Sequence, residues 1–241
     1  MGVLEILFVL FGFLLIIRGI FFSYLNRINF KTVGGLGFDL SHMIASFFYF
    51  FLSILLFNSL FFLNLKFDFL QYNFTNNFLR LFQDVLSNLH TAFFEEVFFR
   101  LFLFIGLLDI IKNRILLLIL TSAIFSAVHF PPNTILIVSY FLGGLIYGYS
   151  YLKFQNFWVP VAIHFAWNFI QGSIFGFSVS GNSSSGLLEL QFTESILWNG
   201  EPHGPEGSVA GLAMRLIILI ALVIYPWKKS NPQFLNIKNL P

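Results

Sequence analysis

Seven stretches of this chain, roughly 3–23, 43–65, 81–108, 115–130, 134–152, 157–176 and 208–227, are largely apolar, the third with its first two turns (Leu81 to His90) mixed enough to lie at the interface. A helix rises about 1.5 Å per residue, so about 20 such residues cross the hydrocarbon core of a bilayer. Charge points the same way: 10% of the 241 residues are ionic, where an average soluble domain has about 25%. Thirteen Lys and Arg with eleven Asp and Glu are too few to cover a water-facing surface. The expected fold is therefore all-α, a polytopic transmembrane helical bundle of about seven spans forming a single integral membrane domain over 1–241. The 36 phenylalanines suit lipid contact on such helices.

Several function classes fall away at once. A net charge of +2 gives no electrostatic case for nucleic acid, and the absence of Cys removes disulfides and thiolate sites. Met1 to Glu5 carry no basic residue ahead of the first apolar run, and no A-x-A-like cleavage site follows. That stretch reads as a retained first span, not a removed signal. No repeat of fixed period is visible.

Lys and Arg set the expected topology, because cytoplasmic loops carry an excess of both. Arg27 and Lys31, then Lys112 and Arg114, then Lys153, then Lys228, Lys229 and Lys238 fall in alternate loops. The loops between hold only Lys66 and Arg80, with Glu189, Glu194, Glu201 and Glu206. This places the N-terminus outside and the C-terminus in the cytoplasm.

Against this background, ionisable groups at membrane depth stand out, since each costs at least about 2.5–3.5 kcal/mol on insertion scales. The third segment carries Glu95-Glu96-Val97-Phe98-Phe99-Arg100, the fourth ends in Phe125-Ser126-Ala127-Val128-His129, and the sixth contains His164-Phe165-Ala166-Trp167-Asn168. Glu96 and Arg100 are i, i+4 and share a helix face, so they can neutralise each other. Glu95 lies about 100° round the helix and is free to face a cavity. His164 and Asn168 are also i, i+4, and Phe125 lies one turn below His129. Singly, each feature has a structural reading: a Glu–Arg tie, an interhelical His, an Asn between helices. Together they supply a carboxylate, an imidazole and an imidazole–carboxamide pair, enough for acid/base chemistry with a stabilised oxyanion.

Other polar residues call for less. Arg215 has no acidic partner within its own helix, which suggests snorkelling or a loop partner. His42 and His90 sit near span ends, and His203 lies in the acidic loop, where solvation is expected. Gly143, Gly144 and Gly148 give the fifth span a small-residue face for close packing.

In order and spacing, Glu95-Glu96-x-x-x-Arg100, Phe125-x-x-x-His129 and His164-x-x-x-Asn168 resemble the CAAX-protease and bacteriocin-processing (CPBP) intramembrane peptidases, relatives of the type II CAAX prenyl endopeptidases. The likeness covers roughly residues 80–176, and Gly204-Pro205-Glu206-Gly207 is similar to the turn before the last span in bacterial members. It implies a membrane enzyme, in the cell membrane of a prokaryote, that hydrolyses a bond in a membrane peptide or protein. Glu95 would be the general base on a water shared with His129; His164 and Asn168 would hold the oxyanion; Glu96 with Arg100 would support Glu95. The favoured mechanism needs no cofactor, because the H-E-x-x-H zinc signature is missing. The alternative is zinc on Glu95, His129 and His164, three ligands from three helices. Two other functions remain as expectations to set against this one: a proton-coupled transporter, and a non-catalytic scaffold or bacteriocin-immunity protein. No inverted repeat supports the transporter. Nothing in the chain reads as a prenyl-specific pocket.

Overall fold

The computed structural model describes residues 3–75, 78–184, 186–193, 198, 200–228 and 231–236. Of the loop charges counted above, Glu194, Lys229 and Lys238 lie outside the described residues, as do Met1 and Gly2 of the N-terminal stretch.

The seven apolar segments become seven helices: α1 (Val3–Leu25), α2 (Leu40–Lys66), α3 (Phe78–Glu96), α4 (Arg114–Val128), α5 (Thr134–Phe154), α6 (Trp158–Asn168) and α7 (Val209–Ile224). Two of them change their winding. α3 continues as a π-helix over Val97–Phe104 and a closing turn at Ile105–Leu107, and α6 continues as a π-helix over Phe169–Ile174. Four starts are capped by a short polar side chain that accepts orphan backbone N–H groups. Asp39 serves α2, Asn113 α4, Asn133 α5 and Ser208 α7, at 2.9–3.1 Å; each such cap contributes about 1 kcal/mol. α4 ends where Pro131-Pro132 bars continuation, and His129 is its C-cap.

Three helices are long and apolar enough to cross a membrane alone: Ile6–Leu25, Leu40–Lys66 and Thr134–Phe154. α4 and α7 are apolar but shorter, at 15 and 16 residues. α3 carries Arg80, Asp84, Glu95 and Glu96, so it is mixed along its length. Only 28% of the α1 and α2 windows is buried, against 61% of α5. α1 and α2 therefore present Phe and Leu to lipid, while α5 is the central helix, packed on α4, α6 and α7. The small-residue face of α5 makes that possible, since a Cβ on Gly144 would lie 2.8 Å from Ser122 Cα on α4. Arg18, in the apolar face of α1, is paid for by a partner on the chain after α3: Asp109 at 2.5 Å.

Main-chain bonds gather the loops into two ends. At one end Phe157 N donates to Gly35 O at 3.0 Å, Trp158 Nε1 to Leu36 O at 3.1 Å and Leu235 N to Val33 O at 3.0 Å. Gly35 sits at φ +71°, and a Cβ there would stand 2.5 Å from Gln155 O; glycine is required. This end carries Arg27, Lys31, Lys112, Arg114, Lys153 and Lys228. The other end holds a feature that the apolar periodicity did not suggest. Strand β1 (Leu70–Phe74), from the loop after α2, pairs antiparallel with β2 (Leu188–Phe192), from the loop before α7, in the register Leu70↔Phe192 to Phe74↔Leu188.

Candidate active site

Glu96 and Arg100 are fully buried, and Arg100 Nε donates to Glu96 Oε2 at 2.7 Å. The other carboxylate oxygen, Oε1, lies 3.1 Å from His164 Nδ1. Glu96 thus spans two helices, which helical spacing on α3 alone does not reveal. Room for the guanidinium comes from α5: a Cβ on Gly148 would be 3.0 Å from Arg100 Nη1.

Glu95 turns the other way. Its side chain is 29% exposed, and Oε2 stands 3.7 Å from His129 Nε2 and 3.8 Å from His164 Nε2. That oxygen is buried and has no hydrogen-bond partner. Both separations exceed a direct hydrogen bond and match the gap that a bridging water fills. Each imidazole has its other nitrogen committed: His129 Nδ1 donates to the Phe125 carbonyl at 2.7 Å, and His164 Nδ1 faces Glu96. Aromatic rings fix both planes. Tyr147 stacks on His164 at 4.3 Å and 11°, and Phe125 and Tyr140 enclose His129 at 4.6 and 4.8 Å.

Asn168 lies one turn from His164 at 8% exposure. Glu95, His129, His164 and Asn168 all line one cavity of about 370 Å³, and Glu96 and Arg100 do not. The π-helical segments begin at the residues directly after Glu96 and after Asn168, and π-turns inside α-helices are frequent at functional sites. Nothing in the apolar pattern marks them.

Glu95, His129 and His164, the three donors of the zinc alternative, meet in one place. Even so, among the described residues no group of three or more His, Asp or Glu side chains is placed to hold a metal ion. At 3.7 and 3.8 Å the carboxylate oxygen and the two nitrogens surround one point, which a hydrogen-bonded water or, with a small closing of the three donors, a zinc ion would fit.

A second buried pair completes the wall. Arg215 Nη2 donates to Glu206 Oε1 at 2.7 Å, so its partner is a loop residue. Glu206 also accepts from Trp167 Nε1 at 3.2 Å and from Ser180 N and Oγ at 2.7 and 3.1 Å. The Arg215 guanidinium lies 4.3 Å over the Trp167 ring and against Gly143. Two of the residues set aside above differ from expectation. His42 is buried at 7%, 3.0 Å from Phe154 O, and His203 is half-buried, because the loop before α7 folds back onto the bundle.

Fold and site together define an integral membrane protein, a helical bundle with a carboxylate, two imidazoles and a carboxamide around one cavity. Residues 76–170 match the family model described as Type II CAAX prenyl endopeptidase Rce1-like. The matched segment contains every motif residue from Glu95 to Asn168, so over this part of the chain the protein is similar to the CAAX-type peptidases that the motifs resemble. No curated protein and no solved structure matches the chain.

Proposed function

We propose that the protein is an intramembrane endopeptidase in which Glu95 and His129 activate a water and His164 and Asn168 hold the oxyanion. One observation carries this reading: the unpartnered Glu95 Oε2 stands between the Nε2 atoms of His129 and His164. A water there donates one hydrogen to Glu95, the base. Neutral His129, with Nδ1–H given to a carbonyl, accepts the other at Nε2. The water oxygen attacks the peptide carbonyl carbon, and the proton taken by Glu95 passes to the leaving amine.

The oxyanion then needs donors. With His164 Nδ1–H given to Glu96, a hydrogen bond from Nε2 is made by the doubly protonated ring, whose charge the Glu96 carboxylate balances. Asn168 supplies the second donor from its amide. Glu96 therefore supports the oxyanion side as well as Arg100, a wider role than holding Glu95. The reaction needs no metal in this scheme. The whole chain, 1–241, serves as one membrane domain around the core at 80–176. Lys and Arg put the N-terminus outside and the C-terminus in the cytoplasm of a prokaryotic cell. The cavity then opens toward the outer face, among the loops that carry β1, β2 and Glu206.

Purified protein with a membrane-anchored peptide tests the scheme. Glu95→Gln is expected to reduce cleavage to background. His164→Ala or Asn168→Ala is expected to lower kcat about 10²–10³-fold, the usual loss for one oxyanion donor. Full activity in Glu95→Gln overturns the assignment. One zinc per chain, with activity lost on chelation and restored by zinc, replaces the metal-free scheme. Proton-coupled uptake into liposomes without cleavage favours the transporter, and immunity retained in Glu95→Gln favours the scaffold.

A further inference from the structure

α3 carries a polar stripe that leads to the site. Arg80, Asp84, Ser87, Asn88, Thr91 and Glu95 recur three and four residues apart, with one single step, so they occupy one face of the helix. All six line the cavity. The opposite face carries Leu79, Phe82, Leu86 and Leu89, exposed and apolar as lipid-facing positions are. Across the cavity stands the turn at 179–184, which contributes Ser180, Asn182, Ser183 and Ser184 to the wall. Val179 and Asn182 exchange main-chain bonds at 3.0 and 2.9 Å, and Glu206 holds Ser180. Asn88 Nδ2 reaches Ser173 Oγ at 3.2 Å on the floor. There Gly172 allows the turn to close in, since a Cβ would lie 2.8 Å from Val179 Cγ2.

Fifteen residues separate Arg80 from Glu95, about 22 Å along the helix. An extended peptide covers that length in six or seven residues at about 3.3 Å each. The two walls offer hydroxyls and amides, which suit a peptide main chain. Phe125 and Val179 with the rings of Tyr140 and Tyr147 form the apolar part of the lining, and most of the remaining lining side chains are polar. An isoprenoid chain would leave many of these polar groups without partners. Arg80, exposed at the mouth, forms no ion pair among the described residues.

We infer that this trough is the substrate site, taking about six residues of an unprenylated, extended polypeptide on one side of the scissile bond, with an acidic residue favoured opposite Arg80. The inference rests on the peptidase reading above and adds its substrate class. The test uses the full chain in detergent with a library of unprenylated synthetic peptides, and a farnesylated CAAX-type peptide as comparator. For the best-cleaved library peptide, trimming the distal side from six residues to three is expected to raise KM at least fivefold. Asn88→Ala and Thr91→Val are expected to raise KM threefold or more with kcat within twofold. Arg80→Glu is expected to exchange the preference for Asp over Lys at the distal position. Binding of the labelled peptide to Glu95→Gln, followed by fluorescence anisotropy, should show the same length dependence. A KM indifferent to length and to the stripe variants, or cleavage confined to the farnesylated peptide, overturns the trough. Length-dependent binding without cleavage by the wild type keeps the trough and removes the peptidase. Neither binding nor cleavage removes both.

Discussion

Two buried Glu–Arg pairs flank the candidate site, and they differ in a way that separates chemistry from architecture. Glu96–Arg100 lies within one helix at i, i+4, while Glu206–Arg215 joins a loop to α7 across nine residues. Both guanidiniums lodge against a glycine of α5, Gly148 and Gly143 respectively. Both carboxylates also reach α6, Glu96 at His164 and Glu206 at Trp167, one residue before Asn168. α6 is thus held at His164 by one carboxylate and at Trp167, next to Asn168, by the other. The inner clamp fixes a ring that faces Glu95; the outer one fixes a turn in the cavity wall.

The largest effect is expected from splitting the inner pair. Removing one member of a buried pair leaves an uncompensated charge and costs about 3–5 kcal/mol. Glu96→Gln should therefore lower the thermal transition in detergent sharply and abolish cleavage. Glu96→Gln with Arg100→Met should recover most of the stability, because the unpaired guanidinium is removed together with its partner. Activity should stay lost, since His164 keeps no anionic partner. A double variant that regains both stability and cleavage would make this clamp purely architectural and erase the contrast.

Next comes the outer pair. Unlike the inner pair, Glu206 and Arg215 line the cavity, where water can reach the charge left behind. Glu206→Gln therefore weakens charge-assisted bonds to Arg215, Trp167 and Ser180 with a smaller expected loss of about 1.5–3 kcal/mol. KM should rise more than kcat falls, because the turn beginning at Ser180 loses its anchor while His164 keeps its contact with Glu96. Gly143→Ala forces the Arg215 guanidinium aside, an overpacking of about 1–3 kcal/mol. Combined with Glu206→Gln it should cost less than the sum, since both act through Arg215. Additive thermal shifts would separate the two.

The contrast also shows what could be read from residues in order. The inner pair was legible, because both partners sit on one helix and the 3.6-residue period places them together. The seven helices were legible for the same reason, from their apolar runs. For Arg215 a loop partner was conceivable, yet no periodicity selects Glu206 over Glu201 or Glu189. The contact of Glu96 with His164 depends on how α3 packs against α6, and nothing in the apolar pattern marks the π-turns after Glu96 and Asn168. Tyr140 and Tyr147 could have been found: they lie seven residues apart on the face of α5 that carries Gly143 and Gly144. The strand pair joins segments over a hundred residues apart, and neither Leu70–Phe74 nor Leu188–Phe192 has a partner nearby in sequence.

A third carboxylate, at the water's edge, calibrates the other two and gives the smallest expected effect. Asp39 caps α2 and lies 2.8 Å from His42 Nδ1, with its side chain 55% exposed. Water screens such a pair, so its Coulomb part is worth far less than in the buried clamps. Partial burial raises the Asp39 carboxyl, but the Ser41 hydroxyl, the His42 amide and the His42 ring together hold it below the ordinary carboxylate value. A lowered value in the folded state means that its contribution is complete above the unfolded pKa, about 3.9. The contribution is lost as pH falls through the folded one. Asp39→Ala should cost about 1 kcal/mol at neutral pH through the lost cap. Asp39→Asn keeps a capping oxygen and should stay within a few tenths of a kcal/mol of the wild type, with the acid-side fall in its thermal transition reduced. An Asp39→Asn loss as large as that of Glu206→Gln would show that exposure does not grade these carboxylates, and the ranking of the three would fail.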